Sequence, residues 1–357
     1  MEPPRHLPST RTDAGSQLAA WTSHETVIGL RVRGTKIEHR FPPSFERLRV
    51  GRDPECEIYL GDDDSVGLHH ATVYRRGPHL VVEEETAKNH TFCEGTPQTV
   101  FQLVAGAVVG FGKAELVAFS GHTQSLYGGL ERYLGYGTSA HRVVEELQHA
   151  ALYRDHLVLL SPRGGGAIAL ARYLHHATPG NTWPFVERPK LSDDVSEQVK
   201  VLKGAAYGTI VLGVGDLPDE REFFLREAKA TYHVRLVLVC PPKKKIERFV
   251  PVPLLKTMTI VSVAPLASRR VEISRVVSET IAYHLARQGA TTPLLTEHDH
   301  ERIEAQKWPG DQDELDDAIY KLVLVRKLRH AARAASVLGV TPARVSQWAD
   351  KYGFRLR

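Results

Sequence analysis

The sequence predicts a multidomain chain: an all-β sandwich, then an α/β domain, then an all-helical end. Residues 25–120 contain short β-rich runs separated by Gly, Pro and Asp clusters, which is typical of a sandwich. Residues 138–265 alternate apolar strands with helical segments, which indicates a parallel sheet covered by helices. From residue 269 onward the periodicity is helical.

The composition is that of an ordinary globular protein. The 357 residues are 42% hydrophobic and 25% charged, which is sufficient for two or three separate cores. No apolar run approaches the roughly 18 to 20 residues of a membrane helix, and residues 1–16 lack the apolar stretch of a signal peptide. We therefore expect a cytoplasmic protein without a membrane partner. Cys56, Cys93 and Cys240 are too few and too widely spaced for a metal site or a disulfide framework, so we expect them to be packing residues.

The patterns divide the chain into six segments. Residues 1–24 are rich in Pro, Ser and Thr, and they predict a flexible arm. A linker rich in Gly and Tyr is predicted after the sandwich, with Ser139 as the cap of the next helix. The predicted segments are the arm 1–24, the sandwich 25–120, the linker 121–137, the α/β core 138–265, a helical lid 266–325 and a helix-turn-helix 326–357.

Charge is distributed unevenly along the chain. Residues 318–357 contain nine Lys or Arg and one acidic residue, which gives this segment a net charge of +8 and leaves −4 for the remainder. Positive charge concentrated in one short module favours a polyanionic partner, because phosphate contacts release counterions. The sequence therefore predicts a nucleic-acid interface at this end.

Four motifs in the first domain follow one another in a recognisable order. They are Gly51-Arg52, residues 66–71, residues 85–92 and residues 103–106. In order and spacing they resemble the forkhead-associated (FHA) family, whose members hold a phosphothreonine with an Arg, a Ser and an Asn. The resemblance implies a phosphopeptide site whose residues are Arg52, Asn89, His70 as the brace of the loop, and Lys88.

The FHA-like site departs from the family pattern at two positions. Gly67 stands where the family has its Ser, and His90 stands where it has a Gly. Loss of one charge-assisted donor costs about 1.5 to 3 kcal/mol, so we expect weak phosphothreonine binding unless His69, His90 or Lys88 compensates. The alternative is a domain that keeps the fold and binds an unphosphorylated partner or its own neighbouring domain.

The central region has the outline of an ATPase. Residues 161–168 form a glycine-rich loop between a strand and a helix, the setting of a phosphate loop. With residues 183–186, 208–218, 264–273 and 308–315, this loop resembles the AAA+ domain of bacterial enhancer-binding proteins, which activate the sigma-54 form of RNA polymerase.

The catalytic side chains implied by that resemblance are absent. Ala167 and Ile168 replace the Lys and its hydroxylic neighbour, and Gly213-Val214 replaces the acid pair that binds Mg²⁺. The run 250–258, which precedes the motif that begins at residue 264, offers only Lys256 as an arginine-finger substitute, and Asp313 replaces the second sensor Arg. The stretch 185–208 is too short for the sigma-factor loop. We therefore expect no ATP hydrolysis and no cofactor, although Gly164, Gly165 and Gly166 retain a backbone that could hold an anion.

The chain ends in a pattern typical of a helix-turn-helix. An Ala-rich helix over 331–338 is followed by Gly339, and Thr341 and Pro342 begin a second helix. Residues 331–354 resemble the Fis-type DNA-binding end of the same enhancer-binding proteins. The side chains expected to contact DNA are Thr341, Arg344, Ser346, Gln347 and Lys351.

Together these features predict a bacterial, non-catalytic, DNA-binding transcription regulator. We expect a protein partner at the FHA-like domain, phosphorylated or not, and self-association of the chain. One alternative is a protein–protein adaptor without specific DNA binding. The other is a divergent ATP-binding sigma-54 activator.

Overall fold

The three predicted parts are present in the predicted order. The structure, a computed structural model, describes residues 25–61, 63–77, 79–85, 89–177, 182–290 and 294–355. The flexible arm predicted over 1–24 lies outside the described residues.

The first part is a sandwich of two β-sheets. One sheet has the strand order β2-β1-β11-β10-β7-β8, and the other has the order β4-β3-β5-β6-β9. The strands are β1 Gly29–Val32, β2 Glu38–Arg40, β3 Arg47–Gly51, β4 Ile58–Tyr59, β5 Ala71–Arg76, β6 His79–Glu84, β7 Thr91–Cys93, β8 Thr96–Pro97, β9 Val100–Leu103, β10 Val108–Phe111 and β11 Ala114–Phe119.

Alternating apolar residues of the strands build the sandwich core. In β3, for example, Leu48 and Val50 point inward while Arg47 stays exposed, as the two-residue period of a strand requires. Phe111 of β10 is fully buried in the same core. The predicted all-β sandwich is therefore confirmed.

A helix occupies most of the segment for which the sequence predicts a linker. Helix α1 spans Gly121–Leu134 and is capped by Ser120. The linker prediction is wrong: consecutive glycines such as Gly128-Gly129 are typical of linkers, but here they lie within the helix. A Cβ at Gly129 would lie 1.8 Å from the hydroxyl of Tyr173, so glycine there permits close packing of a neighbouring helix.

Helix α2 spans Thr138–Leu152, and its N-cap is Gly137 rather than the predicted Ser139. It packs with α1 against the sandwich. Glu145 of α2 accepts a hydrogen bond from Arg31 of β1 at 3.3 Å, with both side chains buried. Val104 and Ala107 of the sandwich share one apolar cluster with both helices. The first domain is thus joined to the second by a buried interface.

The central part is a parallel five-stranded sheet in the order β13-β14-β15-β12-β16. The middle strands are buried on both faces, as the apolar runs predict. Its elements are β12 Leu157–Leu160, α3 Ala167–His176, β13 Phe185–Glu187, α4 Val195–Gly204, β14 Thr209–Gly213, α5 Arg221–Ala230, β15 Arg235–Cys240, α6 Val252–Leu255 and β16 Thr259–Ser262.

Helices form the remainder of the described chain. A 3-10 turn over Leu266–Glu272 leads into α7 Ile273–Arg287, α8 Glu297–Ala305 and α9 Asp311–Leu328. Helix α9 crosses the boundary predicted between 325 and 326. Thr296 is the N-cap of α8, and its hydroxyl accepts the N–H of Asp299. Asp299 is fully buried against Arg326 at 2.7 Å.

The last two helices are α10 Ala331–Leu338 and α11 Pro342–Tyr352, at the positions predicted. Gly339 ends α10 in the left-handed conformation with φ 64°, and Thr341 caps α11. Ala334, Ala335 and Val345 pack between the two helices and the end of α9.

Candidate functional sites

Arg52 and Asn89 lie on neighbouring loops at the rim of the sandwich. The Nε atom of Arg52 donates to the carbonyl of Val66 at 3.0 Å, and the Nδ2 atom of Asn89 donates to the carbonyl of Ser65 at 2.8 Å. The loop 63–67 therefore brings both side chains together. The two terminal nitrogens of Arg52 make no hydrogen bond to any described residue, so they can still receive an anion.

His70 holds this loop from the buried side of the sandwich. It is fully buried, and its Nδ1 atom accepts a hydrogen bond from the N–H of Gly67 at 3.1 Å. Its ring lies edge-on to Phe111 at 5.7 Å. Burial lowers the pKa of His70, which favours the neutral form that this hydrogen bond requires. The position of His70 agrees with the bracing role that the resemblance implies.

The other candidate residues of this rim contribute less. His69 is partly exposed, with its Nε2 atom 3.7 Å from Asp53, and His90 is exposed 3.7 Å from Glu84. Lys88 lies outside the described residues. The sequence gives no sign of the role of Ser65, whose hydroxyl accepts the N–H of Lys113 at 2.9 Å and so fixes the loop.

The glycine-rich loop lies between β12 and α3 at the carboxyl edge of the sheet. Gly164 and Gly166 both have positive φ angles, 82° and 80°, which favour glycine. A cavity of about 250 Å³ adjoins the loop. The charged residues that line it are Arg163, Arg188, Lys244 and Asp313.

The start of helix α9 fills the loop from the opposite side. The N–H of Asp313 donates to the carbonyl of Gly164 at 2.9 Å. A Cβ at Gly164 would lie 2.5 Å from the carbonyl oxygen of Gly310, and one at Gly166 would lie 2.8 Å from Gln312. The glycines therefore serve an intramolecular contact with the lid. The sequence identifies Asp313 only as a lost arginine, so this contact could not be predicted.

The side chain of Asp313 is partly exposed beside the loop and lines the same cavity as Gly164 and Gly165. The N–H of Gly166 at the start of α3, where backbone donors and the helix dipole favour negative charge, acts to lower the pKa of the Asp313 carboxyl group. Burial and the neighbouring Asp316 nevertheless raise the pKa of Asp313 to about 6. Asp313 also lines a second cavity of about 520 Å³ between α3, α7 and α9.

The strand end beside the loop lacks ligands for a metal. Gly213 and Val214 occupy the expected positions of the acids, and the nearby Asp216 accepts the N–H of Gly213 at 3.1 Å. Within the part of the chain that the structure describes, no group of three or more His, Cys, Asp or Glu side chains is arranged to bind a metal ion. Neither Gly213 nor Val214 offers a side-chain ligand for Mg²⁺ at this strand end.

Helix α11 presents an exposed polar face at its start. Arg344 and Gln347 are exposed, Ser346 is half-buried, and Thr341 is used as the cap, its hydroxyl accepting the N–H of Arg344. Lys351 is directed elsewhere, because its ammonium group donates to Glu314 of α9 at 2.7 Å. The structure thus groups Arg344, Ser346 and Gln347 but separates Lys351 from them.

Ion pairs reduce the positive charge of the chain end. Lys321 pairs with Asp317 at 2.5 Å, Arg326 with Asp299, and Lys351 with Glu314. All three carboxylates lie outside residues 318–357, so the segment charge overstates the local field. Arg333 and Arg344 of the helix pair α10–α11, and Arg329 at the end of α9, make no ion pair with any described residue.

Comparisons with known proteins match the two main parts separately. Residues 32–120 match a family described as the inner membrane component of T3SS, cytoplasmic domain. The FHA domain of the CT664 protein from Chlamydia trachomatis is 23% identical, covers 27% of this chain and 98% of that one, and has a TM-score of 0.24. An FHA domain studied for phosphothreonine-dependent interactions is 20% identical, covers 26% and 96%, and has a TM-score of 0.24.

NtrX from Brucella abortus, solved in complex with ADP, is 14% identical, covers 65% of this chain and 72% of that one, and has a TM-score of 0.38. No curated protein matches. Among the described residues, no helix combines the length and the apolar character that crossing a bilayer requires.

Replacing Asp313 by Asn tests the raised pKa of its carboxyl group. Because the folded protein raises this pKa from 3.8 to about 6, the native carboxyl contributes most to stability below its unfolded pKa, and this contribution is lost as the pH rises through about 6. Asn cannot ionise, so Asp313→Asn should gain stability relative to the parent at about pH 8 and lose that gain near pH 4. Urea unfolding at both pH values measures the difference. Asp317→Asn is the exposed control on the same helix, and an equal effect of Asp313→Asn at both pH values would contradict the assignment.

Proposed function

We propose that this protein is a non-catalytic, DNA-binding transcription regulator of the bacterial cytoplasm. The FHA-like domain binds a protein partner, the AAA+-like domain acts as a scaffold for assembly, and the last two helices contact DNA. The observation that carries the proposal is the packing of the start of helix α9 on the glycine loop, through Gly310 and Asp313 against Gly164. Helix α11 meanwhile keeps an exposed polar face.

Several features support the absence of ATP hydrolysis. Ala167 cannot supply the positive charge that a phosphate-loop Lys gives to the β and γ phosphates, and Gly213-Val214 cannot bind Mg²⁺. The contacts of Gly310 and Asp313 with Gly164 also take up backbone of the glycine loop. Loss of one such part reduces phosphoryl-transfer rates by about 10³ to 10⁵, and several parts are lost together here.

The arrangement of α10 and α11 supports DNA binding. The turn at Gly339 sets two helices around a shared apolar core and leaves the first turns of α11 exposed. Long polar side chains at the start of a second helix are the ones that reach base edges in the major groove. Arg344 and Gln347 are placed in this way, and Arg329 and Arg333 of the same unit are available for phosphates.

A protein–protein adaptor is the second candidate function. It is favoured by the neutralised cations described above and by the exposed Asp350, which adds a negative charge to α11. Duplex binding distinguishes the two functions, because only the DNA-binding regulator should bind a selected duplex.

The first test is duplex binding by the full chain, using duplexes selected from a random library. Arg344→Ala and Gln347→Ala should each weaken the selected duplex by about 1 to 3 kcal/mol, because each removes a contact to a base edge. Arg142→Ala, an exposed Arg on α2, is the matched control and should leave binding unchanged. Fluorescence anisotropy across a salt series gives the affinity. Failure to enrich any duplex would favour the adaptor.

The second test concerns the impaired phosphothreonine pocket. At Gly67 a Cβ would have its nearest contact at 3.4 Å, to the Cα of His70, so a serine fits. Gly67→Ser should add one hydroxyl donor and raise the affinity for phosphothreonine peptides by 1.5 to 3 kcal/mol, about ten-fold or more. Gly67→Ala is the control, because it adds the Cβ without the donor. Titration of a phosphothreonine peptide library measures the affinity, and equal behaviour of both variants would argue against a phosphate role for this rim.

A further inference from the structure

The segment Trp308–Glu314, called the latch below, touches both the glycine loop and helix α11. On the side that faces the sheet, Gly310 and Asp313 contact Gly164. On the side that faces α11, Glu314 contacts that helix. We propose that the latch couples its own contact with the glycine loop to the conformation of helix α11 at the DNA-binding end of the chain. The effect on DNA binding rests on the proposed function.

Glu314 joins the two sides of the latch through its two carboxylate oxygens. Its Oε2 atom accepts the N–H of Gly310 at 2.7 Å. Its Oε1 atom accepts the ammonium group of Lys351 at 2.7 Å and the hydroxyl of Tyr352 at 2.6 Å. One largely buried side chain therefore bonds the backbone that lies against the loop and two residues of α11.

An aromatic stack reinforces this connection. The Trp308 ring lies on the Tyr352 ring, with centroids 5.3 Å apart and an interplanar angle of 26°. Trp308 is itself buried, and its Nε1 atom donates to the carbonyl of Ile303 at 3.0 Å. A displacement of the latch therefore has to shift Tyr352, because close-packed rings do not absorb motion independently.

The latch backbone is strained. Trp308 and Asp311 both have positive φ angles, 50° and 58°, which are unfavourable for residues with a side chain. Such residues persist only where the surroundings hold them, and they are enriched in switch regions. Here the holding contacts are the loop itself and the hydrogen bond from the N–H of Leu266 to Asp311 at 2.7 Å. Loss of the loop contact would allow the latch to relax.

The consequence for DNA concerns Lys351. In the latched state its ammonium group is paired with Glu314, and this carboxylate competes with a phosphate for it. Opening the latch frees this cation at the end of α11. The latched form is therefore the weaker and less salt-sensitive DNA binder of the two.

The coupling is tested in the full chain by hydrogen exchange and mass spectrometry. Gly164→Ala places a Cβ against Gly310 and should increase amide exchange in α11, far from the substitution. Gly215→Ala is the matched control, because this glycine borders the same cavity and a Cβ there meets nothing within 4 Å. Equal exchange in α11 for both variants would overturn the proposal.

The reciprocal experiment does not depend on the folding of a glycine variant. Coupling is reciprocal, so Glu314→Gln should increase exchange in the glycine loop, whereas Asp317→Asn, which releases Lys321 on the same helix, should not. If exchange in the loop is the same for the two variants, the proposal fails.

The same pair of variants tests the effect on DNA. Glu314→Gln should steepen the dependence of duplex affinity on salt by about one charge, and adding Lys351→Met should abolish this gain. Asp317→Asn should leave the salt dependence unchanged. An unchanged slope in Glu314→Gln overturns the role of Lys351. If the parent and all variants bind no duplex, the proposed function fails, while the exchange experiments still decide the coupling.

Discussion

The contact between the start of helix α9 and the glycine loop is the interaction on which the rest of the structure depends. It places Gly310, Gln312 and Asp313 against the backbone of the glycine loop. The contact explains why Gly164 and Gly166 are glycines. Their role here is close packing between the core and the lid.

The same contact decides how the domains can communicate. The sandwich shares a buried interface with α1 and α2, including the pair Arg31–Glu145, and α1 packs on α3 through Gly129. The lid closes on the loop that begins α3, and α11 packs on the lid through Tyr352. A partner bound at the FHA-like rim would therefore act through packed elements rather than through a flexible tether. Removing one partner of a buried charge pair of this kind lowers the free energy of unfolding by several kcal/mol.

The sequence predicts the order of the domains and most elements, because these depend on local periodicity. The parallel strands and the pair α10–α11 lie where apolar spacing, Gly339 and Thr341 indicate them. Helix α1 is missed because Gly128-Gly129 suggests a linker, and only the approach of Tyr173 explains Gly129.

The missed features of the sites are all contacts between residues distant in sequence. Asp313 enters a loop almost 150 residues before it, and Lys351 pairs with Glu314 on another helix. The buried pair of Asp299 and Arg326 is of the same kind. Residue type and spacing identify Arg52, Asn89 and His70 as neighbours because a family pattern supplies the fold. No pattern supplies a partner for Asp313. Composition alone also makes the end of the chain look more basic than it is, because it does not show the ion pairs of its cations.

The central claim is that the start of helix α9 closes the glycine loop against a nucleotide. Isothermal titration of the full chain with ATP and Mg²⁺ tests this claim most directly. The account predicts no saturable binding up to about 1 mM ATP, which corresponds to less than about 4 kcal/mol of binding free energy. A one-to-one isotherm with a micromolar Kd would contradict it, because the triphosphate would then have displaced Asp313 from the loop.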